Sequence, residues 1–331
     1  VHPERCAVIG AGAWGTALAD LLARSGNEVA LWAREADVVE SVNSRHENRF
    51  LQGHRLHESV RAFANIEEAV RGARVAIFVT PSHALRSIAR AARPSIGKDT
   101  VVVVASKGVE EDTLALMSEV AEDELHAPLV ALSGPTFAAE VAAGQPTAAV
   151  AASDDEATAL VAQRIFSGSN LRTYTHDDVI GVEVGGALKN VMAVATGIAD
   201  GLGLGYNARA ALITRGLAEM TRLGIALGGR QATFAGLAGL GDLVLTCTGS
   251  LSRNRAVGVA IGKGGSLEAA LAGKETVAEG VITTRSARAL AAREGVDMPI
   301  VDAVYRVLFE GEPALDAMRA LMARELRSEG D

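Results

Sequence analysis

Cysteine is nearly absent from this chain of 331 residues, with only Cys6 and Cys247 present. Two isolated thiols without metal-ligand spacing exclude a disulfide framework and a zinc ribbon, and a reducing compartment, the cytoplasm, is expected. Lysine is scarce as well: of 32 cations, 27 are Arg and five are Lys, at positions 98, 107, 189, 263 and 274. Where Arg meets the ordinary need for surface charge, a remaining Lys is a candidate for releasing a proton near neutral pH, which a guanidinium does not do. Long apolar runs are missing. The longest stretch free of Asp, Glu, Lys and Arg, residues 125–139, carries two Pro and a Gly and is too short to span a bilayer as a helix. No charged segment followed by an apolar one opens the chain, so neither a secretory leader nor membrane insertion is expected. Positive charge is also in deficit. A net charge of −8 repels phosphate backbones at long range, and nucleic acid is not expected as a partner.

What is present is apolar residue enough, 49%, for the cores of two domains. Glycine is abundant, 35 residues, without any low-complexity tract, so the excess belongs to individual turns and close approaches. The first half alternates β-rich apolar runs (5–9, 28–32, 75–79, 101–105, 128–132, then 148–151 and 171–174) with helical patterns at 15–24, 66–70, 83–92, 113–121, 136–142 and 154–166. That alternation predicts a doubly wound α/β domain of the Rossmann type over residues 1–178. From about residue 179 the strand signals fade into Ala/Gly/Leu-rich text with helical spacing, which predicts an all-helical domain over 179–331. Residues 43–58 are polar, without a period, and read as a mobile surface connection. The three histidines there, His46, His54 and His57, lack a carboxylate pattern to complete a metal site, and no metal is expected.

Gly10-Ala11-Gly12-Ala13-Trp14-Gly15 follows an apolar strand and opens a helix. In that setting Gly10 makes the tight turn, Gly12 lets the backbone approach a pyrophosphate, and Gly15 packs helix on strand. An ordinary βα turn needs only one or two of these glycines. A dinucleotide cofactor is expected. The second strand ends in Trp32-Ala33-Arg34-Glu35, with no carboxylate at the position that holds a ribose 2′-hydroxyl. Arg34 there favours the extra phosphate of NADPH, whereas Glu35 keeps NADH open and a solvated helix-start cation is the plain alternative.

Two further strand ends carry Ser106-Lys107-Gly108 and Ser133-Gly134-Pro135-Thr136, at the sheet edge where open α/β folds bind ligands. In the helical half, Lys189 shares a small, apolar stripe with Gly185, Met192 and Thr196. It is either desolvated there, with a lowered pKa suited to proton exchange, or an amphipathic lysine reaching solvent. Asp242, after the Gly236–Gly241 turn, either orients an ammonium or caps a helix. Ser252-Arg253-Asn254 form a donor cluster at a helix start, suited to a phosphate or to capping.

These segments, in this order along nearly the whole chain, resemble the NAD(P)-dependent glycerol-3-phosphate dehydrogenases of the prokaryotic type: GAGAWGTALA, ASKG, SGPTFAAEVAAG, GGALKNVMAVATGIADGLG, GLAGLGDLVLTC, SLSRNR, VAEG and MPIVDAVYRVLFEG. The resemblance implies reversible reduction of dihydroxyacetone phosphate to sn-glycerol 3-phosphate with NAD(P)H, at the head of glycerophospholipid synthesis. It implies Lys189 as proton donor and acceptor, with Lys107, Gly134, Thr136, Asp242, Ser252, Arg253 and Asn254 holding substrate. Cofactor contacts would come from Gly10, Gly12, Ala13, Trp14, Gly15, Arg34, Lys107, Ala138, Arg253, Val277 and Glu279. Ala139 departs from the pattern, since similar proteins often carry Lys there; the departure bears on surface charge near the cleft rather than on activity. A small phosphorylated triose is the expected substrate and a homodimer the expected assembly. Two other readings share the fingerprint: a 3-hydroxy-acid dehydrogenase of related architecture, told apart by its carboxylate substrate, and a non-catalytic NADP(H)-sensing protein, told apart by binding without turnover.

Overall fold

The computed structural model describes residues 3–168, 170–273, 278–326 and 328. In the first half the order is β1 (Arg5–Ile9), α1 (Ala13–Arg24), β2 (Glu28–Trp32), α2 (Ala36–Arg45), β3 (Arg61–Phe63), α3 (Ile66–Val70), β4 (Val75–Phe78), α4 (Leu85–Ala92), β5 (Val101–Val104), α5 (Met117–Leu125), β6 (Leu129–Ser133), α6 (Ala138–Ala142), β7 (Thr147–Ala152), α7 (Glu156–Phe166) and β8 (Leu171–His176). The eight strands form one sheet in the order β3-β2-β1-β4-β5-β6-β7-β8. Pairing is parallel except between β6 and β7. The five residues of α6 span only about 7 Å as a helix, too little to carry the chain back along β6, and β7 runs the opposite way. Strand residues alternate between two buried faces. Cys6 and Val8 of β1, and Val101 and Val103 of β5, pack with Leu18, Leu22 and Phe166 on one side. Ala7, Ile9, Val102 and Val104 pack with Phe78, Leu85 and Met117 on the other. This is the Rossmann-type arrangement that the alternation of elements predicts.

The second half is helical: α8 (Val179–Gly201), α9 (Gly205–Ala226), α10 (Gln231–Phe234), α11 (Asp242–Thr248), α12 (Arg253–Gly262), α13 (Leu267–Leu271), α14 (Glu279–Glu294), α15 (Pro299–Tyr305) and α16 (Ala314–Met322). Its core gathers around α8, where Leu188, Val191 and Met192 meet Phe234, Leu290 and Val301. Among the described residues α8 is the one single helix long and apolar enough to cross a membrane, and 89% of its apolar window is buried inside the fold.

Several local expectations need correction. The helix expected over 113–121 begins at Met117, because Leu114 adopts a left-handed conformation (φ 59) and the Glu119 carboxylate accepts from the Leu116 N–H at 2.6 Å, starting the helix there. The helix expected from 136 begins at Ala138, after Gly134 at φ 139 and an extended Phe137. The polar text of 36–45 hides α2, which buries only Val38, Ser41 and Val42. Residues 46–60 are not a loose connection: Leu51, Leu56 and Val60 are buried, and the segment is bonded to α1. Its histidines diverge, His54 toward Asp20 and His57 toward Ser59.

Candidate active site

The sheet order reverses at β1, which lies between β2 and β4, and the β1–α1 loop sits at that switch point. Each glycine of the loop has a distinct surrounding. Gly10 stands at φ 119, and a Cβ on it would come within 2.5 Å of the Val79 carbonyl oxygen; on Gly15 it would come within 1.9 Å of the Gly10 oxygen. On Gly12 it would meet nothing within 4 Å. The loop is thus tight at Gly10 and Gly15 and open at Gly12, and the first N–H groups of α1, starting at Ala13 and Trp14, have no acceptor within the helix. A pyrophosphate fits this cradle. At the end of β2, Ala33 is buried and Arg34 is exposed, paired with Glu35 at 3.0 Å.

Lys107 follows β5 and lies against α8, and Gly134 follows β6 and packs against Ala148 and Ala149 of β7. Lys107 Nζ donates to the Gly134 carbonyl at 3.2 Å and to Asp242 Oδ2 at 2.5 Å. A Cβ on Gly186 of α8 would collide with Ser133 Oγ and touch Lys107 Cδ, so the glycine admits the lysine against the helix. One helical turn on, Lys189 Nζ donates to Asp242 Oδ1 at 2.6 Å and to Thr246 Oγ1 at 2.9 Å. Asp242 therefore bridges two ammonium groups, one from each half of the molecule, and it is 1% exposed. Lys189 is 8% exposed, so it does not reach out to solvent along its stem. Burial, with Lys107 adding repulsion, lowers its pKa to about 8 against the pull of Asp242. Burial alone would raise the Asp242 pKa, but the two lysines hold it below the usual carboxylate value.

Thr136 Oγ1 donates to the Gly134 carbonyl at 3.2 Å, and Ala138 opens α6 beside it. Ser252 caps α12 by accepting from the Arg255 N–H at 3.2 Å. Asn254 is committed at both ends of its amide, donating to Asn190 Oδ1 at 2.8 Å and accepting from the Gly280 N–H at 2.9 Å. It thereby ties α12 to α8 at the residue next to Lys189. Arg255 pairs with Asp200, whereas Arg253 is exposed and lies within electrostatic reach of Glu279. Glu279 accepts from Ser82 Oγ at 2.8 Å, and burial raises its pKa. Val277 lies outside the described residues.

Three participants escape the sequence reading. Thr246 lies four residues after Asp242 on α11, one helical turn on, a relation that appears only once 242–248 is known to be helical. Asn190 and Ser82 are polar residues whose partners are 64 and 197 positions away.

Residues 5–159 match the family described as NAD-dependent glycerol-3-phosphate dehydrogenase N-terminus, and residues 178–319 match its C-terminus. The chain is 52% identical over 332 residues to a glycerol-3-phosphate dehydrogenase (NAD(P)+) of Geobacter sp. strain M21, covering 99% of each. It is 54% identical to the protein so named in Nitratidesulfovibrio vulgaris strain DP4, covering 98% of this chain and 100% of that one. The crystal structure of glycerol-3-phosphate dehydrogenase from Coxiella burnetii superposes with a TM-score of 0.94 at 41% identity, over 97% of this chain and 99% of that chain. With both family segments present in order and relatives alike from end to end, this chain belongs to the NAD-dependent glycerol-3-phosphate dehydrogenase family.

Proposed function

We propose that this protein interconverts dihydroxyacetone phosphate and sn-glycerol 3-phosphate, with Lys189 as the group that gives a proton to the substrate oxygen and takes it back. The observation that carries this reading is the Lys107–Asp242–Lys189 bridge, centred on a buried carboxylate, at the meeting of sheet edge and helical half. A bound nicotinamide dinucleotide supplies the hydride or accepts it. As the substrate carbonyl is reduced, negative charge grows on its oxygen, and the Lys189 ammonium stabilises that charge and protonates it. Asp242 keeps the ammonium oriented, and Lys107 adds positive potential. Lys107, Gly134, Thr136, Ser252, Arg253 and Asn254 surround the phosphorylated triose. Arg253 supplies the charged fork for its phosphate, while Asn254 acts by holding α12 in place.

For the cofactor, the fingerprint Gly10, Gly12, Ala13, Trp14 and Gly15 holds the pyrophosphate, with Arg34, Lys107, Ala138, Arg253, Val277 and Glu279 completing the groove. NADPH is the preferred form on this reading, supported by exposed Arg34 and by the absence of a carboxylate at the buried Ala33 position. The division of labour places the nucleotide on residues 1–178 and proton transfer on 179–331. A homodimer goes with it, supported by the apolar side chains exposed at both ends of α9, Tyr206 and Ile225. A cytoplasmic role in feeding glycerophospholipid synthesis is supported by the two buried, unpaired cysteines and by the family.

The test is a steady-state comparison of NADPH and NADH with dihydroxyacetone phosphate. Oxidation of NADPH that depends on the triose phosphate, with a lower KM than for NADH, is the expected result. Turnover with a 3-hydroxy acid and none with the triose phosphate contradicts the reading, as does binding without turnover.

A further inference from the structure

The segment after α2 takes no part in the account above, yet it reaches the fingerprint loop. Asn48 is 2% exposed and uses both hydrogens of its amide there, donating to the Ala11 carbonyl at 2.9 Å and to Thr16 Oγ1 at 2.8 Å. Its Oδ1 accepts from the Phe50 N–H at 3.0 Å. Thr16 Oγ1 in turn donates to the same Ala11 oxygen at 3.1 Å, so two donors grip one carbonyl from the inner side. A trans peptide is planar, with C=O and N–H pointing opposite ways. Drawing the Ala11 oxygen inward therefore turns the Gly12 N–H away, toward the open side of the loop, where a Cβ on Gly12 would meet nothing. Among the described residues that N–H donates to no other group.

The grip has its own anchor. One turn beyond Thr16 on α1, Asp20 is 1% exposed, accepts from the His57 N–H at 2.6 Å and sits 2.7 Å from His54 Nε2. A further turn on, Arg24 donates to the Arg55 carbonyl at 3.1 Å. One face of α1 thus holds the whole segment in the register that puts Asn48 under Ala11.

We propose that Asn48 is a positioning residue for the cofactor: by clamping the Ala11 carbonyl it presents the Gly12 N–H to the pyrophosphate of NAD(P)H. The proposal rests on reading the 10–15 loop as the pyrophosphate site. A loop already fixed in its binding shape loses little freedom when the ligand arrives, and a released peptide would have to be reordered each time.

The experiment titrates NADPH against the native protein, Asn48→Ala, Thr16→Val and Thr16→Ser, following nicotinamide fluorescence, with the exposed loop residue Gln52→Ala as control. Steady-state KM and kcat are measured alongside. The proposal expects Asn48→Ala to raise the NADPH Kd and KM about tenfold, the effect of one charge-assisted hydrogen bond, with kcat and triose KM within about twofold. Thr16→Val weakens NADPH in the same way, and Thr16→Ser, which keeps the hydroxyl, restores it. Should Asn48→Ala fail to fold, the isosteric Thr16 pair decides the matter. Native binding with all variants within about twofold overturns the clamp alone. A native protein that does not bind NADPH overturns the pyrophosphate reading and the clamp with it.

Discussion

At the scale of single residues, the proposed proton transfer turns on how Lys189 is held. Burial removes solvation from its ammonium, Lys107 repels it, and Asp242 attracts it, leaving a pKa of about 8. On the proposed mechanism, protonated Lys189 is the form that serves reduction. The kcat/KM for triose reduction is therefore expected to be flat below pH 8 and to fall tenfold per pH step above it, while glycerol 3-phosphate oxidation rises with pH up to the same point. Asp242→Asn removes the attraction and moves that limb to lower pH. It also leaves the buried Lys189 ammonium and the partly buried Lys107 ammonium without their carboxylate, and a loss of roughly 3 kcal/mol in urea unfolding is expected. Arg34→Ala is expected to raise the NADPH KM about tenfold and to leave NADH nearly unchanged, since only the 2′-phosphate loses a partner. Equal losses for both cofactors contradict the selectivity assigned to Arg34.

At the scale of elements, α8 shows one use of the abundant glycine. Gly197 and Gly201 face Gly258 and Gly262 of α12 so closely that a Cβ on Gly258 would lie 2.2 Å from the Val194 oxygen, and one on Gly197 2.2 Å from the Arg255 oxygen. Backbone meets backbone, so neither helix gives way by turning a side chain. Gly258→Ala is expected to destabilise by about 2 kcal/mol in denaturant unfolding at unchanged m-value, and to raise triose KM, because α12 carries Arg253 and Asn254. A second feature of α8 is Glu183, which accepts from the Ser118 N–H at 2.8 Å and from Ser118 Oγ, joining α8 to α5. Burial raises its pKa from 4.5 to about 7. The folded form binds its proton more tightly than the unfolded chain, so its contribution is full below pH 4.5 and is lost as pH rises through 7. Glu183→Gln is expected to match the native Tm at pH 5 and exceed it at pH 8; a lower Tm at both contradicts this. The fingerprint and the Lys189 stripe are legible in sequence because both obey short periods set by one turn or one helix. The α2 helix and the start of α5 are not, because few buried side chains mark the first and a left-handed Leu114 displaces the second.

At the scale of the whole molecule, the proposed site is assembled from residues far apart in the chain. Lys107 and Asp242 are 135 positions apart, and their contact depends on the sheet edge facing α8 and α11. Spacing alone marks each residue as a candidate without saying that one carboxylate serves both lysines. The same limit hides Asn48, which sits in a segment that reads as plain polar text, more than thirty positions from its partners Ala11 and Thr16. Family resemblance names Lys189, Lys107 and Asp242 together, and the geometry supplies the reason they belong together. The measurement that bears most directly on this account is the turnover of Lys189→Ala with NADPH and dihydroxyacetone phosphate, read beside its NADPH affinity. The account predicts a loss of about 10³-fold or more in kcat with cofactor Kd within about twofold of native. Turnover within about tenfold of the native protein contradicts it.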